Sequence, residues 1–453
     1  MKYNVLQNIL YDKKNWLEKR KKIQPISEIK KTIKSSVRKF YHTLTLKQPF
    51  FILEAKAASP SHGIINKKFN LIEISKCYKK HASVISVLTD EKYFHGKMEY
   101  LSQMNKLVHQ PLLCKDFIID EYQIYLARYY GADAILLMLS ILKDYQYIFF
   151  SKIAHSMNMG IITEINNTKE LKRAIALDSK VIGINNRNLK NLSINIKNTN
   201  FLAPLIPKNK IIICESGIKN NIQIKKLKHI VHGFLIGSSI MQSKNISHKI
   251  NSIIFGNNKI CGLTNPNDAL ISEKIGATHG GLIFVKKSPR FIVLENALSI
   301  INQSNLKYVG VFQNEKIKNI IFIINKLNLH AIQLHGNENQ EYIKTLKNKI
   351  PENIQLWKAL FIENNIIQLD LKHIKYYVFD NLKGGSGTTF DWKHIKRYNL
   401  ENVFLSGGLS LLNCKKASSF QSFGLDFNSQ FEISPGIKDH KKLKTLFTML
   451  RTI

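Results

Sequence analysis

Short, continuous apolar runs recur along this chain at intervals of about 20–30 residues, and they limit its fold more than any other feature. Runs this short and unbroken suit strands buried on both faces. In the first half they cover 50–56, 84–88, 111–115, 134–139, 160–164, 181–185, 210–215 and 233–237. Helical patterns lie between them, for example over 121–130 and 168–177. Strand alternating with helix predicts right-handed βαβ units and a parallel sheet. Eight such units within about 250 residues predict one (β/α)8 TIM barrel. Near Phe255-Gly-Asn-Asn-Lys259 the rhythm restarts, with runs at 260–263, 281–285, 308–312, 331–335, 355–360, 376–380, 402–406 and 424–427. The Gly-Asn-Asn segment is predicted to be the turn at the junction, since Gly and Asn tolerate left-handed backbone. The expected fold class is therefore α/β, two tandem (β/α)8 TIM barrels with domains 1–256 and 257–453. An open doubly wound sheet is the alternative, and the count of eight in each half disfavours it.

Residues 13–39 precede the first barrel. Trp16, Leu17, Ile23, Ile26, Ile29, Ile33 and Val37 interrupt a basic run there, which predicts an N-terminal helical extension with a solvated basic face. The whole chain is basic, with 67 Lys+Arg against 32 Asp+Glu and a net charge of +35. Such charge raises nucleic-acid binding as a hypothesis, but that function needs a clustered patch with interleaved aromatics. Lysine is instead spread end to end alongside abundant Ile and Asn, as A/T-rich codons would produce. No nucleic-acid partner is expected. Cys77, Cys114, Cys214, Cys261 and Cys414 show no CxxC spacing, so neither a metal site nor a disulfide framework is expected. The opening residues lack the apolar core of a signal peptide, and no apolar stretch approaches the roughly 18 residues of a membrane span. A cytoplasmic protein without membrane contact is the expectation.

In parallel α/β barrels, polar residues at the C-terminal ends of strands face the active-site mouth. In the first half these ends carry Glu54 and Lys56 (then Ser59 and Ser61), Lys115, Glu164, Asn185 and Arg187, Glu215 with Ser216, and Gly237 with Ser238. Acids and lysines in a mouth can simply neutralise one another. Burying so many charges at one rim costs more than an apolar rim would, which favours a site with tuned acids and bases. The Gly-containing loops at Glu215-Ser-Gly217 and Gly237-Ser238 suit a phosphate, because small residues let backbone N–H groups approach its oxygens. The second half repeats this placement with Gly407 and Gly408, and with Asp426 and Ser429. It adds a Gly-rich loop around Gly385 that lacks the GK[ST] of a Walker motif. Cys261 and Asp380 lie near strand ends and together suit a base and an acid for a proton shift. His335 has two readings, a substrate-orienting group or a hydrogen-bonded structural histidine.

These motifs carry a family resemblance. Phe51-Ile-Leu-Glu-Ala-Lys-Ala-Ala-Ser-Pro-Ser61, Leu113-Cys-Lys-Asp-Phe117, Thr163-Glu164, Gly183-Ile-Asn-Asn-Arg187 and Glu215-Ser-Gly217 resemble indole-3-glycerol phosphate synthase. Lys259-Ile-Cys-Gly-Leu-Thr264, Gly281-Leu-Ile-Phe284, Ser288-Pro-Arg290, Gln333-Leu-His-Gly336, Gly384-Gly-Ser-Gly387 and Ser406-Gly-Gly-Leu409 resemble phosphoribosylanthranilate isomerase. The resemblance covers essentially the whole chain and implies two consecutive reactions of tryptophan biosynthesis on phosphorylated anthranilate sugars. It implies a monomer that needs no metal, nucleotide or flavin. In the isomerase half it implies Asp380 as general acid, Cys261 as base, Arg290 on the anthranilate carboxylate, and phosphate on the Gly408 and Ser429 loops. In the synthase half it implies Lys115 as general acid and Glu164 in proton transfer. Glu54 and Asn185 would hold the intermediate, Lys56 would bind phosphate or assist dehydration, and Arg187 would meet the carboxylate. Ser216, Gly217, Gly237 and Ser238 would cradle phosphate. Ala57-Ala58 after Lys56 and His62 after Ser61 stand where related enzymes often carry additional Lys or Arg, which implies weaker substrate affinity without loss of a catalytic group.

Overall fold

The computed structural model describes residues 5–362, 369–381 and 389–452. They form two compact units, Met1–Lys219 with Lys226–Lys249, and Asn220–Lys225 with Ile250–Ile453. Each unit holds one closed barrel of eight parallel strands in sequential order.

The first barrel is built from Phe50–Ala55, Val84–Leu88, Leu112–Lys115, Ala134–Met138, Gly160–Ile165, Val181–Asn185, Ile211–Glu215 and Gly233–Ile236. Alternation within each strand decides what fills it, because side chains two apart share a face. Phe50, Ile52, Leu113, Ala134, Leu136, Ile162, Val181, Ile213 and Leu235 join one buried cluster. Continuing two residues along these strands reaches Glu54, Lys115, Glu164 and Glu215. Thus the same periodicity that packs the floor delivers charge to the mouth. Two glycines make room in the floor: a Cβ at Gly233 would lie 2.2 Å from the Phe50 ring, and one at Gly160 would lie 2.1 Å from Phe40.

Phe40 belongs to the N-terminal extension, whose helices are Val5–Ile23, Ile26–Thr32 and the short Phe40–Thr43. The expectation of a solvated basic face is corrected at Lys13. Leu6, Ile9, Lys13 and Leu17 are the buried residues of the first helix, and Lys13 Nζ lies 2.7 Å from both Asp90 and Asp116 carboxylates. Conversely, Ile23 and Val37 are 74% and 89% exposed and do not form the apolar face. The helical period placed Lys13 on the inner stripe; only its partners on distant strand ends make a buried ammonium tolerable there.

The second barrel comprises Asn257–Ile260, His279–Ile283, Lys307–Phe312, Ala331–Leu334, Gln355–Phe361, Ile374–Asp380, Val403–Leu405 and Gly424–Phe427. Its first two strands begin earlier than expected. Asn257 and Asn258 are paired strand residues against Gly424 and Leu425, not a turn. Gly256 alone has left-handed backbone, at φ +93°. Asn258 is buried and donates to Phe255 O, which satisfies a polar side chain that an apolar-run search passes over. Aromatic rings fill this floor: Trp357 stacks on Phe404 at 4.6 Å, and His279 meets both edge-on. A hairpin of Glu432–Ser434 and Ile437–Lys438 follows the last barrel strand. No described helix is long and apolar enough to cross a membrane.

Candidate active sites

The mouth of the first barrel is a cavity of about 430 Å³. Glu54, Lys56, Lys115, Glu164, Asn185, Arg187, Glu215, Ser216, Gly217, Gly237 and Ser238 all line it. Lys56 Nζ donates to Glu54 Oε1 at 2.6 Å. Lys115 Nζ lies 3.5 Å from Glu164 Oε2 and 3.5 Å from Glu215 Oε2, so its ammonium is shared between two carboxylates instead of being locked to one. Glu164 Oε1 and Glu215 Oε1 are buried without a hydrogen-bond partner among the described residues. Leaving such atoms unpaired costs roughly 1–3 kcal/mol each, which a purely structural ion-pair network would avoid.

Electrostatics separates two of these acids, Glu54 and Glu215. Burial pushes the Glu54 carboxyl up, but Lys56, Lys115 and Arg187 outweigh it and hold it below the usual range. Burial, opposed by Lys115 and reinforced by Glu164 and Glu54, pushes Glu215 up to about 8. Burial would strip the Lys115 ammonium, yet Glu215, Glu164 and Glu54 overcome it and strengthen its hold on the proton. The site therefore offers a charged ammonium donor, a carboxylate that stays ionised, and a carboxyl that keeps its proton near neutrality. Two glycines are required by these acids. A Cβ at Gly183 would lie 2.0 Å from Glu215 Oε1, and one at Gly237 would lie 2.3 Å from Glu54 Oε1.

Ser59 and Ser61 stand apart from the rest. His62, and neither serine, lines the cavity. Ser61 Oγ instead accepts from Arg187 Nη1 at 3.0 Å and meets His62 Nδ1 at 2.8 Å, so it steadies the guanidinium from outside. Burial lowers the Arg187 pKa, with Glu54 acting against it. Asn185 Oδ1 accepts the Arg187 backbone N–H at 2.9 Å. Sequence reasoning passed over Asn186, whose amide donates to Glu215 O and Ser216 O and so fastens the sixth strand end to the seventh. It also missed the apolar wall of Phe94, Phe117, Leu189 and Ile194, and the basic Lys219 and Lys249. Nothing in their local sequence marks them; they converge only in the fold.

Ser216 and Gly217 have left-handed backbone, at φ +66° and +91°, which turns the chain sharply after the seventh strand. After the eighth strand Gly237 precedes a helical turn, Ser238–Met241. Its backbone bonds begin with Ile240 and Met241 donating to Gly237 O. The amides of Ser238 and Ser239 precede that ladder, as the first amides of any helical turn do.

In the second barrel, Lys259, Cys261, Gln333, Asp380 and Asp426 project inward from four strand ends. Lys259 is fully buried and donates to Asp426 Oδ2 at 2.7 Å. Burial holds the Cys261 thiol above its ordinary value; Lys259 pulls it down and Asp426 pushes it up. Burial likewise raises Asp380, against the Asn381 N–H, Lys259 and Ser406. Burial and Lys259 bring His335 down to about 4, so its ring is neutral at physiological pH. With Gln333 Nε2 donating to Nδ1 at 2.9 Å, the ring proton sits on Nε2, which lies 3.6 Å from Asp380 Oδ2. Gly407 and Gly408 have φ of +80° and +59°, and a Cβ on Gly407 would come within 3.2 Å of Asp380 Oδ1. Ser429 opens a short 3-10 turn, Ser429–Phe431. Gly385 lies outside the described residues.

Arg290 does not stand free. Its Nε and Nη2 donate to Glu432 at 3.0 and 2.7 Å, and Lys438 Nζ donates to the same carboxylate at 2.7 Å and to Asn428 Oδ1 at 3.1 Å. Glu432, Lys438 and Lys259 were not among the residues singled out from sequence; their pairing across distant segments is invisible in it.

Two family models match the chain. One described as indole-3-glycerol phosphate synthase covers residues 6–253, and one described as N-(5'-phosphoribosyl)anthranilate isomerase covers 258–449. A relative from Buchnera aphidicola subsp. Schizaphis graminum, called tryptophan biosynthesis protein TrpCF, is 55% identical over 99% of this chain and 100% of its own length. The protein of that name from Salmonella typhi is 47% identical over 99% of each chain. The solved phosphoribosylanthranilate isomerase of Thermotoga maritima is 33% identical over 43% of this chain and 98% of its own, with a TM-score of 0.38.

Proposed function

Because the chain belongs to the family of fused enzymes that join indole-3-glycerol phosphate synthase to phosphoribosylanthranilate isomerase, we propose that its two barrel mouths divide the two reactions as follows. The enzyme isomerises N-(5-phosphoribosyl)anthranilate to 1-(2-carboxyphenylamino)-1-deoxyribulose 5-phosphate in its C-terminal half. It then closes the indole ring in its N-terminal half, with loss of CO2 and water.

In the isomerase site Asp380 gives its proton to the ring oxygen. The C1–O bond breaks as the anthranilate nitrogen lone pair forms an iminium. Cys261 as thiolate then takes the C2 proton; the C–H electron pair flows into the iminium, and the resulting enolamine tautomerises to the aminoketose. His335 orients Asp380, and Gly407, Gly408 and Ser429 hold phosphate. Arg290, aimed by Glu432, meets the anthranilate carboxylate. A buried acid whose pKa is raised suits protonation of an ether oxygen.

In the synthase site Lys115 protonates the sugar carbonyl as the anthranilate ring carbon attacks it, and decarboxylation restores the aromatic ring. Glu164 moves the proton in ring closure and dehydration. Glu54 fixes Lys56, Arg187 meets the carboxylate, and Ser216, Gly217, Gly237 and Ser238 bind phosphate, assisted by the Lys219 and Lys249 charges. The apolar wall of Phe94, Phe117 and Ile194 takes the aromatic ring. The observation that carries this assignment is the Lys115 ammonium placed 3.5 Å from each of two buried acids, Glu164 and Glu215. The fused chain acts as a cytoplasmic monomer on small phosphorylated substrates, with no nucleic-acid partner.

The test is a coupled assay from phosphoribosylanthranilate that reads each step separately. Lys115→Ala abolishes ring closure and leaves isomerisation intact, and Cys261→Ser does the converse. Loss of both activities in either variant would rule out the two-site division.

A further inference from the structure

One fully buried charge of the second barrel has no task in the chemistry above. Lys259 stands two residues before Cys261, so both side chains enter the barrel from the same side of the chain. No part of the Lys259 side chain is exposed, and its ammonium donates to Asp426 Oδ2 at 2.7 Å. The neighbouring strand has a glycine where the two meet. A Cβ on Gly281 would lie 2.6 Å from Cys261 Sγ and 3.0 Å from Lys259 Cε, so sulfur and lysine crowd the same open point.

A buried Lys–Asp pair is a poor device for stability alone, since well-packed apolar residues in its place are often neutral or stabilising. This pair is also incomplete as a structural device, because Asp426 Oδ1 is buried with no hydrogen-bond partner among the described residues. What the arrangement does provide is a fixed positive charge beside a thiol that must lose its proton in an apolar place.

We propose that Lys259 is a positioning residue of the isomerase, the built-in countercharge that allows Cys261 to stand as a thiolate, with Asp426 holding the ammonium in place. The proposal rests on Cys261 being the base. The charges around the sulfur agree with it. Lys259 approaches from its own strand, Asp426 from the eighth strand, and Lys438 from the hairpin, where Glu432 and Arg290 adjoin it. Asp380 and the neutral His335 share the Lys259 field. Lys259, Lys438 and Arg290 against Asp426 and Glu432 leave one positive charge. A Cys261 thiolate neutralises it while Asp380 still carries the proton it will donate.

A bell-shaped rate profile does not reveal which limb belongs to which group. The experiment therefore follows alkylation of Cys261 by iodoacetamide against pH, assigned by peptide mass, in the full-length chain. The proteins are wild type, Lys259→Met, Lys259→Arg, Asp426→Asn and Cys261→Ala. Isomerase turnover is measured alongside, and synthase turnover checks the other barrel. Lys259→Met is expected to move the alkylation midpoint up by one pH unit or more, which is about a tenfold slower reaction near neutrality. Lys259→Arg, which keeps the charge, should restore most of it. Asp426→Asn should move the midpoint down, because the ammonium then faces the sulfur alone. This opposite sign is something a merely structural role would not produce; if Lys259→Met alone fails to fold, the double variant Lys259→Met/Asp426→Asn, which strands no charge, should have a midpoint above that of Asp426→Asn, and equal midpoints overturn the role of Lys259. Unmoved midpoints, with Cys261→Ala inactive as an isomerase, overturn the role of Lys259. Full isomerase turnover in Cys261→Ala overturns instead the reading of Cys261 as base, and the proposal with it.

Discussion

Glu215→Gln offers a direct physical test of the synthase site. Glu215 is a buried carboxyl whose proton is held up to about 8 by burial, against the pull of Lys115, where an ordinary glutamate would release it near 4.5. A carboxyl that binds its proton more tightly when folded stabilises the fold at low pH. That contribution is intact below the unfolded value and is lost as pH rises through the folded one. The window here runs from 4.5 to about 8. Each pH unit within it is worth about 1.4 kcal/mol, so ionising Glu215 in place costs on the order of 3–5 kcal/mol. Glutamine keeps the shape of the protonated carboxyl and cannot ionise. The variant and wild type should therefore be close in stability near about pH 5, with the variant ahead by several kcal/mol near about pH 8.5. The charge of the rest of the chain is common to both proteins at each pH and cancels in the difference. With two units, one global unfolding transition is not assured. Urea-dependent hydrogen exchange on peptides spanning Ile211–Glu215 isolates the first barrel. A stability difference that does not change between the two pH values would refute the reasoning, for it would mean that Glu215 titrates as it does in water.

Three other perturbations probe the supports of the two mouths. Lys13→Met strands the buried Asp90 and Asp116 carboxylates, each 2.7 Å from the lost ammonium; urea unfolding should show the first unit weakened by about 3–5 kcal/mol. Glu432→Gln loosens the two-point grip on Arg290 and should raise the isomerase KM severalfold with a smaller change in kcat; an unchanged KM would detach Arg290 from substrate binding. Gly237→Ala and Gly281→Ala should separate the activities in steady-state assays. The first places a methyl 2.3 Å from Glu54 Oε1 and impairs only the synthase, while the second places one 2.6 Å from Cys261 Sγ and impairs only the isomerase.

What could be read from the chain before its structure follows from how each feature is encoded. The barrels were legible because burial on both faces forces unbroken apolar runs, and their count in each half matched the two closed sheets. The first strand of the second barrel was misplaced because Asn257, Asn258 and Lys259 open it, and their burial depends on partners such as Phe255 O and Asp426. The mouth residues Glu54, Lys56, Lys115, Glu164 and Glu215 were legible because a charge that ends an apolar run has few reasons to be there. Lys13, Glu432 and Lys438 were not, because each sits in a stretch where a solvated lysine or glutamate is ordinary. Only the tertiary fold pairs Lys13 with Asp116, or Glu432 with Arg290. Ser59 and Ser61 follow Lys56 closely in sequence, and the structure sets Ser61 against Arg187 and His62, which line the cavity, an arrangement that adjacency alone does not encode.

The two barrels place a lysine among buried acids for opposite ends. In the first, Lys115 sits at 3.5 Å from each of two acids, Glu164 and Glu215, with neither bonded closely, and the cavity opens onto it. An ammonium held this loosely can turn toward a substrate oxygen and give up a proton, provided the surrounding negative charge falls when it does; the protonated Glu215 already limits that charge. In the second, Lys259 is fully buried and bonded at 2.7 Å, so it has neither the access nor the freedom to be an acid. Its strengthened hold on the proton, caused by Asp426 and Cys261 against the cost of burial, makes it a permanent charge instead. Geometry thus decides the role more than residue type does. Lengthening the reach of Asp426 by Asp426→Glu should crowd the pair and slow isomerase turnover, while Glu215→Asp, which draws an acid away from Lys115, should weaken the ammonium's hold on its proton and leave synthase turnover measurable.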